Sequence, residues 1–158
     1  MQFEDMYRNY HEAPPSAISG WRPSAYGVLL NEDRTQVLMQ KQGDVQRWEL
    51  PGGGVEPHES LIDGMKREFL EEADLHVEVV SGDPIGVHER WMANPRGNRF
   101  LHALIFCYEV KSLGKADDAH LYTGPEEITS QQYIPLVELN EENTQTANWP
   151  AIKLLKDR

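Results

Sequence analysis

Three carboxylates, Glu68, Glu71 and Glu72, stand at positions i, i+3 and i+4 of the chain. On a helix they occupy about 100° of the wheel, so their charges crowd one side. Like charges that close repel unless a cation sits between them, and hard carboxylate oxygens suit a divalent metal ion. Arg67 stands one turn before Glu71, so an i,i+4 ion pair is available. Upstream lie Glu59, Gly53 and a glycine-rich lead-in, Trp48-Glu49-Leu50-Pro51-Gly52-Gly53-Gly54-Val55-Glu56-Pro57.

The helix that must carry these groups is legible from Ser60 onward. Ser60 with Asp63 resembles a capping box, although Glu or Gln is more usual at the second position. Leu61, Ile62, Met65, Phe69 and Ala73 then fall within roughly 120° of one another and predict the core face. The three glutamates lie at the margin of that stripe, where a cleft against a sheet can form. A purely solvated charge face would lie opposite the core. Gly64 falls within the acidic face, at a cost of about 1 kcal/mol relative to alanine. That predicts a close approach by a backbone or ligand.

Gly53, Glu59, Arg67-Glu68-Phe69, Glu71-Glu72 and Leu75 resemble the signature of the Nudix hydrolases. Six such identities, one Gly, one Arg and four Glu, arise by chance with a probability on the order of 10⁻⁴ at ordinary residue usage and this chain's glutamate content. Asp74 is the one departure, standing where the signature has glycine. That position tends to need a left-handed conformation, which Asp tolerates better than most residues. The resemblance is specific over residues 48 to 75 and only architectural elsewhere.

The resemblance implies an α+β fold, an α/β/α sandwich around a mixed β-sheet with a loop-helix-loop metal site. Residues 21 to 158 would form the single domain, after an N-terminal extension of residues 1 to 20. It further implies metal-dependent hydrolysis of a pyrophosphate bond in a nucleoside diphosphate linked to another moiety, such as a nucleoside diphosphate sugar. Alternatives are a (d)NTP or RNA 5′-end pyrophosphohydrolase, and a non-catalytic nucleotide-binding module. Mg²⁺ or Mn²⁺ would be held by Glu68, Glu71, Glu72 and the Gly53 carbonyl, with Glu126 or Glu127 from a late loop as a further ligand. For that last pair an ordinary solvated loop is an equal reading. Either Glu68 or a loop carboxylate would take the proton from water, with Glu72 beside it, while Glu59 and Arg67 hold the loop-helix junction. The substrate would be a small nucleotide. Lys41, Arg47, Arg90, Arg96 and Arg99 could contact its phosphates, and Trp48 or Trp91 its base, although Trp48 also reads as a packing residue. Glu89-Arg90-Trp91-Met92 lacks the proline or tyrosine that would mark ADP-ribose or dinucleoside polyphosphate hydrolases. No role is assigned to His58 or the other five histidines.

The 158 residues carry a formal net charge of −11. This balance argues against a duplex DNA-gripping surface, although bound metal ions can reverse the sign locally. A lone cysteine, Cys107, inside an apolar run reads as a buried small hydrophobe. With no apolar run of membrane length and no signal-like start, the expectation is a cytoplasmic protein without membrane contact. Residues 26–30 and 36–40 read as a hairpin, 76–80, 85–91, 100–110 and 132–135 as strands, and 111–125 as a loop. Pro51 to Gly54 reads as irregular. Asn148 is the expected N-cap of a C-terminal helix, with Pro150 in its first turn. Phe3, Tyr7 and Tyr10 recur at near-helical spacing. Residues 1–20 therefore read either as a short amphipathic helix, packed on the body or on a second subunit of a homodimer, or as a partly ordered tail.

Overall fold

The longest apolar run becomes the centre of the sheet. Strand β8 (Arg99–Lys115) alternates, with Leu101, Ala103, Ile105 and Cys107 buried toward one face and Tyr108, Val110 and the partly buried Phe106 toward the other. A strand covered on both faces must sit between two layers. One layer is helix α1 (Leu61–Ala73), whose Met65 and Phe69 are fully buried against Ala25, Leu29 and Tyr108. The other contains helix α2 (Trp149–Lys156), whose Ala151, Ile152 and Leu155 join Val28, Ile105 and Cys107. Burying each large side chain contributes about 1.5–3 kcal/mol. The result is an α+β fold of α/β/α layering.

The computed structural model describes residues 1–94, 99–116 and 128–158. The remaining strands are β1 (Gln2–Glu4), β2 (Tyr10–Glu12), β3 (Ile18–Leu29), β4 (Gln36–Gln42), β5 (Gly52–Gly54), β6 (Leu75–Val79), β7 (Gly86–Asn94) and β9 (Ile128–Pro135). Among the described residues, seven strands form one mixed sheet in the order β2-β1-β7-β8-β3-β5, with β6 also on β8. The β3–β8 pair is parallel, whereas β7 and β6 share the other side of β8 antiparallel to it. Strands β4 and β9 form a separate antiparallel pair. Among the described residues no helix is long and apolar enough to cross a membrane.

Several expectations change. The link after Leu30 does turn, with Asn31 donating its N–H to the Gln36 carbonyl, but the 26–30/36–40 hairpin ends at the single Leu30–Val37 bridge. The two strands then part, because β4 has a longer partner in β9. Gly52 to Gly54 is an edge strand on β3, not irregular. Residues 111–115 continue β8, held by β6, where a loop was expected from residue 111, and residues 117–125 of that expectation lie outside the described residues. Residues 1–20 form neither the expected amphipathic helix nor a tail; their only helical turn is a short 3-10 segment, Pro15–Ala17. Strands β1 and β2 make a hairpin docked on β7. The aromatic spacing misled because only Phe3 is buried, while Tyr7 is 38% and Tyr10 66% exposed. Asn148 makes no side-chain cap bond; its Oδ1 instead accepts from the Leu50 N–H at 3.1 Å.

Candidate active site

Helix α1 is seated by both its ends and its buried stripe. Ser60 Oγ accepts from the Asp63 N–H at 3.1 Å and donates to the Asp63 carboxylate at 2.7 Å. At the other end Asp74 takes φ 54° and ψ 36°, the left-handed cap expected where glycine is usual. In the middle, Phe69 lies against Gly27, so closely that a Cβ there would come within 2.2 Å of its ring. This contact sets the height of the helix over the sheet and hence the position of its acidic margin.

That margin meets a cleft of about 340 Å³ beside β5. Glu68 and Glu72 line it together with Gly52, Gly53 and Gly54. The glycines matter sterically: a Cβ on Gly53 would press on the Glu68 carboxylate at 3.1 Å. Glu72 accepts three hydrogen bonds, from Gln40 Nε2 at 2.7 Å, the Gly52 N–H at 2.9 Å and Gln42 Nε2 at 3.1 Å. Burial nonetheless outweighs them and, with the nearby Glu68 charge, pushes the Glu72 carboxyl up to about 7. Burial also raises Glu68, against the pull of Arg67.

Arg67 holds the loop to the helix. It donates to Glu59 at 2.7 and 3.1 Å, to the Gly54 carbonyl at 3.1 Å, to Glu68 at 2.9 Å and to Glu71 at 3.2 Å. The guanidinium holds the Glu59 carboxyl down at about 2, and the paired carboxylates raise Arg67 in turn. Gly64 serves this clamp, since a Cβ there would lie 2.8 Å from Glu59 Oε1.

The other sequence candidates divide sharply. Arg90 lines the cleft and donates to Glu4 at 3.1 Å. Trp91, its neighbour, does not line the cleft: strand alternation turns it to the opposite face of the sheet, stacked on His102 at 4.8 Å. Lys41 is displaced for the same reason. Gln40 and Gln42 face Glu72, while Lys41 lies over the Trp48 ring at 4.4 Å. Arg47 is also away from the cleft, donating to the Glu142 carbonyl at 3.2 Å. Trp48 packs on the core. Arg99 is exposed at the start of β8. Glu71 is not among the cleft-lining groups and stands beside the site on Arg67. Arg96, Glu126 and Glu127 lie outside the described residues.

Sequence reasoning missed Arg22, Tyr26, Gln42 and Glu49, all of which line the cleft. Glu49 is the third carboxylate there, and Gln40 Nε2 stands between it, at 3.5 Å, and Glu72. The available signal was alternation in the lead-in, where Trp48 and Leu50 face inward and Glu49 the other way. Arg22 makes no ion pair among the described residues.

Glu68 and Glu72 suit a hard divalent cation. Both are carboxylates raised by burial, and the charge of one raises the other, a conflict that a cation relieves. Among the described residues no three His, Cys, Asp or Glu groups form a ready-made metal cluster. Mg²⁺ commonly binds one or two carboxylates and keeps several waters, so a pair suffices.

Residues 21–155 match the family model of the NUDIX domain. The chain belongs to the Nudix family. It is 41% identical over 66 residues to a Bacillus subtilis (strain 168) protein provisionally named an 8-oxo-dGTP diphosphatase, covering 42% of each chain. It is 38% identical over 64 residues to an RNA pyrophosphohydrolase of Thioalkalivibrio sulfidiphilus (strain HL-EbGR7), covering 39% of this chain and 36% of that one. The matches thus span about two fifths of those relatives' lengths. A NUDIX hydrolase from Nitrosomonas europaea has the same fold, with a TM-score of 0.65 at 18% identity over 86% of this chain and 88% of that one.

Proposed function

We propose that this Nudix chain is a divalent-metal-dependent pyrophosphohydrolase acting on a small nucleotide, a nucleoside diphosphate linked to a further phosphate or other moiety. The carrying observation is the convergence of Glu68 and Glu72, both raised by burial, on a cleft that also holds Arg22 and Arg90. Glu68 and Glu72 would hold Mg²⁺ or Mn²⁺, with Gly53 and Glu71 as adjoining oxygen donors. The ion would supply a bound water of lowered pKa and neutralise phosphate charge. Arg22, with no ion pair of its own among the described residues, faces the phosphates, and Arg90 stands deeper. Arg67 and Glu59 position the helix margin without touching substrate. Glu68 is the proton acceptor for the attacking water among the described residues. The names of the curated relatives support cleavage at a pyrophosphate bond.

The test is a panel of (d)NTPs, nucleoside diphosphate sugars, dinucleoside polyphosphates and 5′-triphosphorylated RNA, with Mg²⁺ and Mn²⁺. Turnover of at least one member is expected, and Glu72→Gln should lose nearly all of it while staying folded. Unchanged turnover in that variant overturns the site.

A further inference from the structure

The cleft has a second end, built by the N-terminal hairpin. Between β1 and β2 the Asp5–Asn9 turn is pinned by its own carboxylate and by the body. Asp5 accepts from the Tyr7 and Asn9 N–H groups at 2.8 and 2.9 Å and pairs with His11 at 2.8 Å. Burial works against that carboxylate, but these bonds hold it below the ordinary range. Arg8 donates to the Thr144 carbonyl at 2.9 Å and also to Glu141. Glu4 accepts from Thr146 at 2.8 Å and from Arg90 at 3.1 Å. A mobile tail would not carry so many directional bonds to one surface.

This turn presents Met6 and Tyr7 to the cleft, whose lining also includes Met92 of β7 and Gln145. Methionine is soft, unbranched and polarizable, and its sulfur packs favourably on aromatic rings. Glu4 pairs with Met92 where β1 meets β7, which brings Met6, Met92 and the small Ala147 into one part of the lining and makes it an apolar slot beside the charged groups. Gln145 is buried, and its Nε2 donates to the Met6 carbonyl at 3.0 Å, which fixes the orientation of its amide. Its amide oxygen has no partner among the described residues. The slot also lies at a useful distance. Strands β5 and β7 are separated by β3 and β8, three strand spacings or about 14 Å. A phosphate chain and ribose can lie between, past Arg22 and Arg90.

Building on the proposed pyrophosphohydrolase activity, we propose that the slot between Met6 and Met92 binds the nucleobase. The N-terminal hairpin is thus a specificity wall, and the Gln145 amide oxygen accepts an N–H from the base edge. Bases carrying an amino group, adenine, guanine or cytosine, fit that acceptor better than uracil, whose N3–H is flanked by two carbonyls.

Met6→Ala tests this, because Met6 holds the turn through its main chain and its side chain is partly exposed. With Mg²⁺ present, KM for the best nucleotide substrate should rise about tenfold with kcat within twofold, while kinetics on inorganic tripolyphosphate stay unchanged. Calorimetry gives a readout free of turnover. Adenosine monophosphate should bind wild type about tenfold more tightly than ribose 5-phosphate, and Met6→Ala should close that gap. Equal affinities in wild type, or an unchanged gap in the variant, overturns the slot. If no phosphate compound is hydrolysed at all, the pyrophosphohydrolase reading fails instead, and the binding comparison still decides the slot.

Discussion

Glu72→Gln should stabilise the metal-free protein at alkaline pH while destroying its catalysis. Glu72 rises from 4.5 to about 7 on folding. An acid raised in the folded state leaves the fold most stable below its unfolded value and weakens it as pH climbs through the folded one. At about 1.4 kcal/mol per pH unit the rise bounds the loss at about 3.5 kcal/mol. Water reaches the carboxylate from the cleft, so about half of that is expected. Glutamine removes the charge but offers one acceptor where Gln40, Gln42 and Gly52 present three donors. Reorienting Gln42 costs about 1 kcal/mol at every pH. The pH slope is therefore the diagnostic. Urea melts in EDTA should show the variant gaining about 1–2 kcal/mol on wild type between pH 5 and pH 8. Added Mg²⁺ should reverse the order at pH 8, since saturation at about a hundred times Kd stabilises wild type alone by about 2.7 kcal/mol. A difference that stays flat across this pH range would refute the buried, charge-strained carboxylate on which the metal assignment stands.

Arg67→Ala strips the charged partner from Glu59, Glu68 and the Gly54 carbonyl, and should cost about 2–4 kcal/mol in urea melts. The Glu59 carboxyl, titrated by NMR, should return from about 2 to the ordinary range. Arg22→Ala should raise KM at least tenfold for any substrate carrying the pyrophosphate, whereas Lys41→Ala should leave kcat and KM within twofold; the reverse result would restore Lys41 as the phosphate ligand. Asp74→Gly relieves a left-handed non-glycine residue and a buried carboxylate oxygen that has no partner among the described residues. It should raise Tm by about 2–3 °C with turnover unchanged.

What the sequence disclosed lies mostly within one continuous segment. The Ser60 cap, the Met65 and Phe69 stripe, the Arg67 bonds to Glu59 and Glu71 and the left-handed Asp74 all depend on short spacings, and each is present in the structure. Helical geometry carries the cap, the stripe and the Arg67–Glu71 pair, while the Glu59–Arg67 bond was implied by the family resemblance. The rest of the cleft comes from strands, where one residue's difference changes the face. Lys41 and Trp91 therefore point away while their neighbours Gln40, Gln42 and Arg90 face the carboxylates or the cleft.

The sequence by itself determined the acidic helix, its clamp and the Nudix signature, because these are local. Only the tertiary structure decided that Arg22 and Glu49 share the cleft and that the N-terminal turn closes its far end. Those groups are brought together by sheet register and by the docking of Glu4 and Arg8 on residues 141–146, contacts that span more than a hundred positions and leave no periodic trace in the chain.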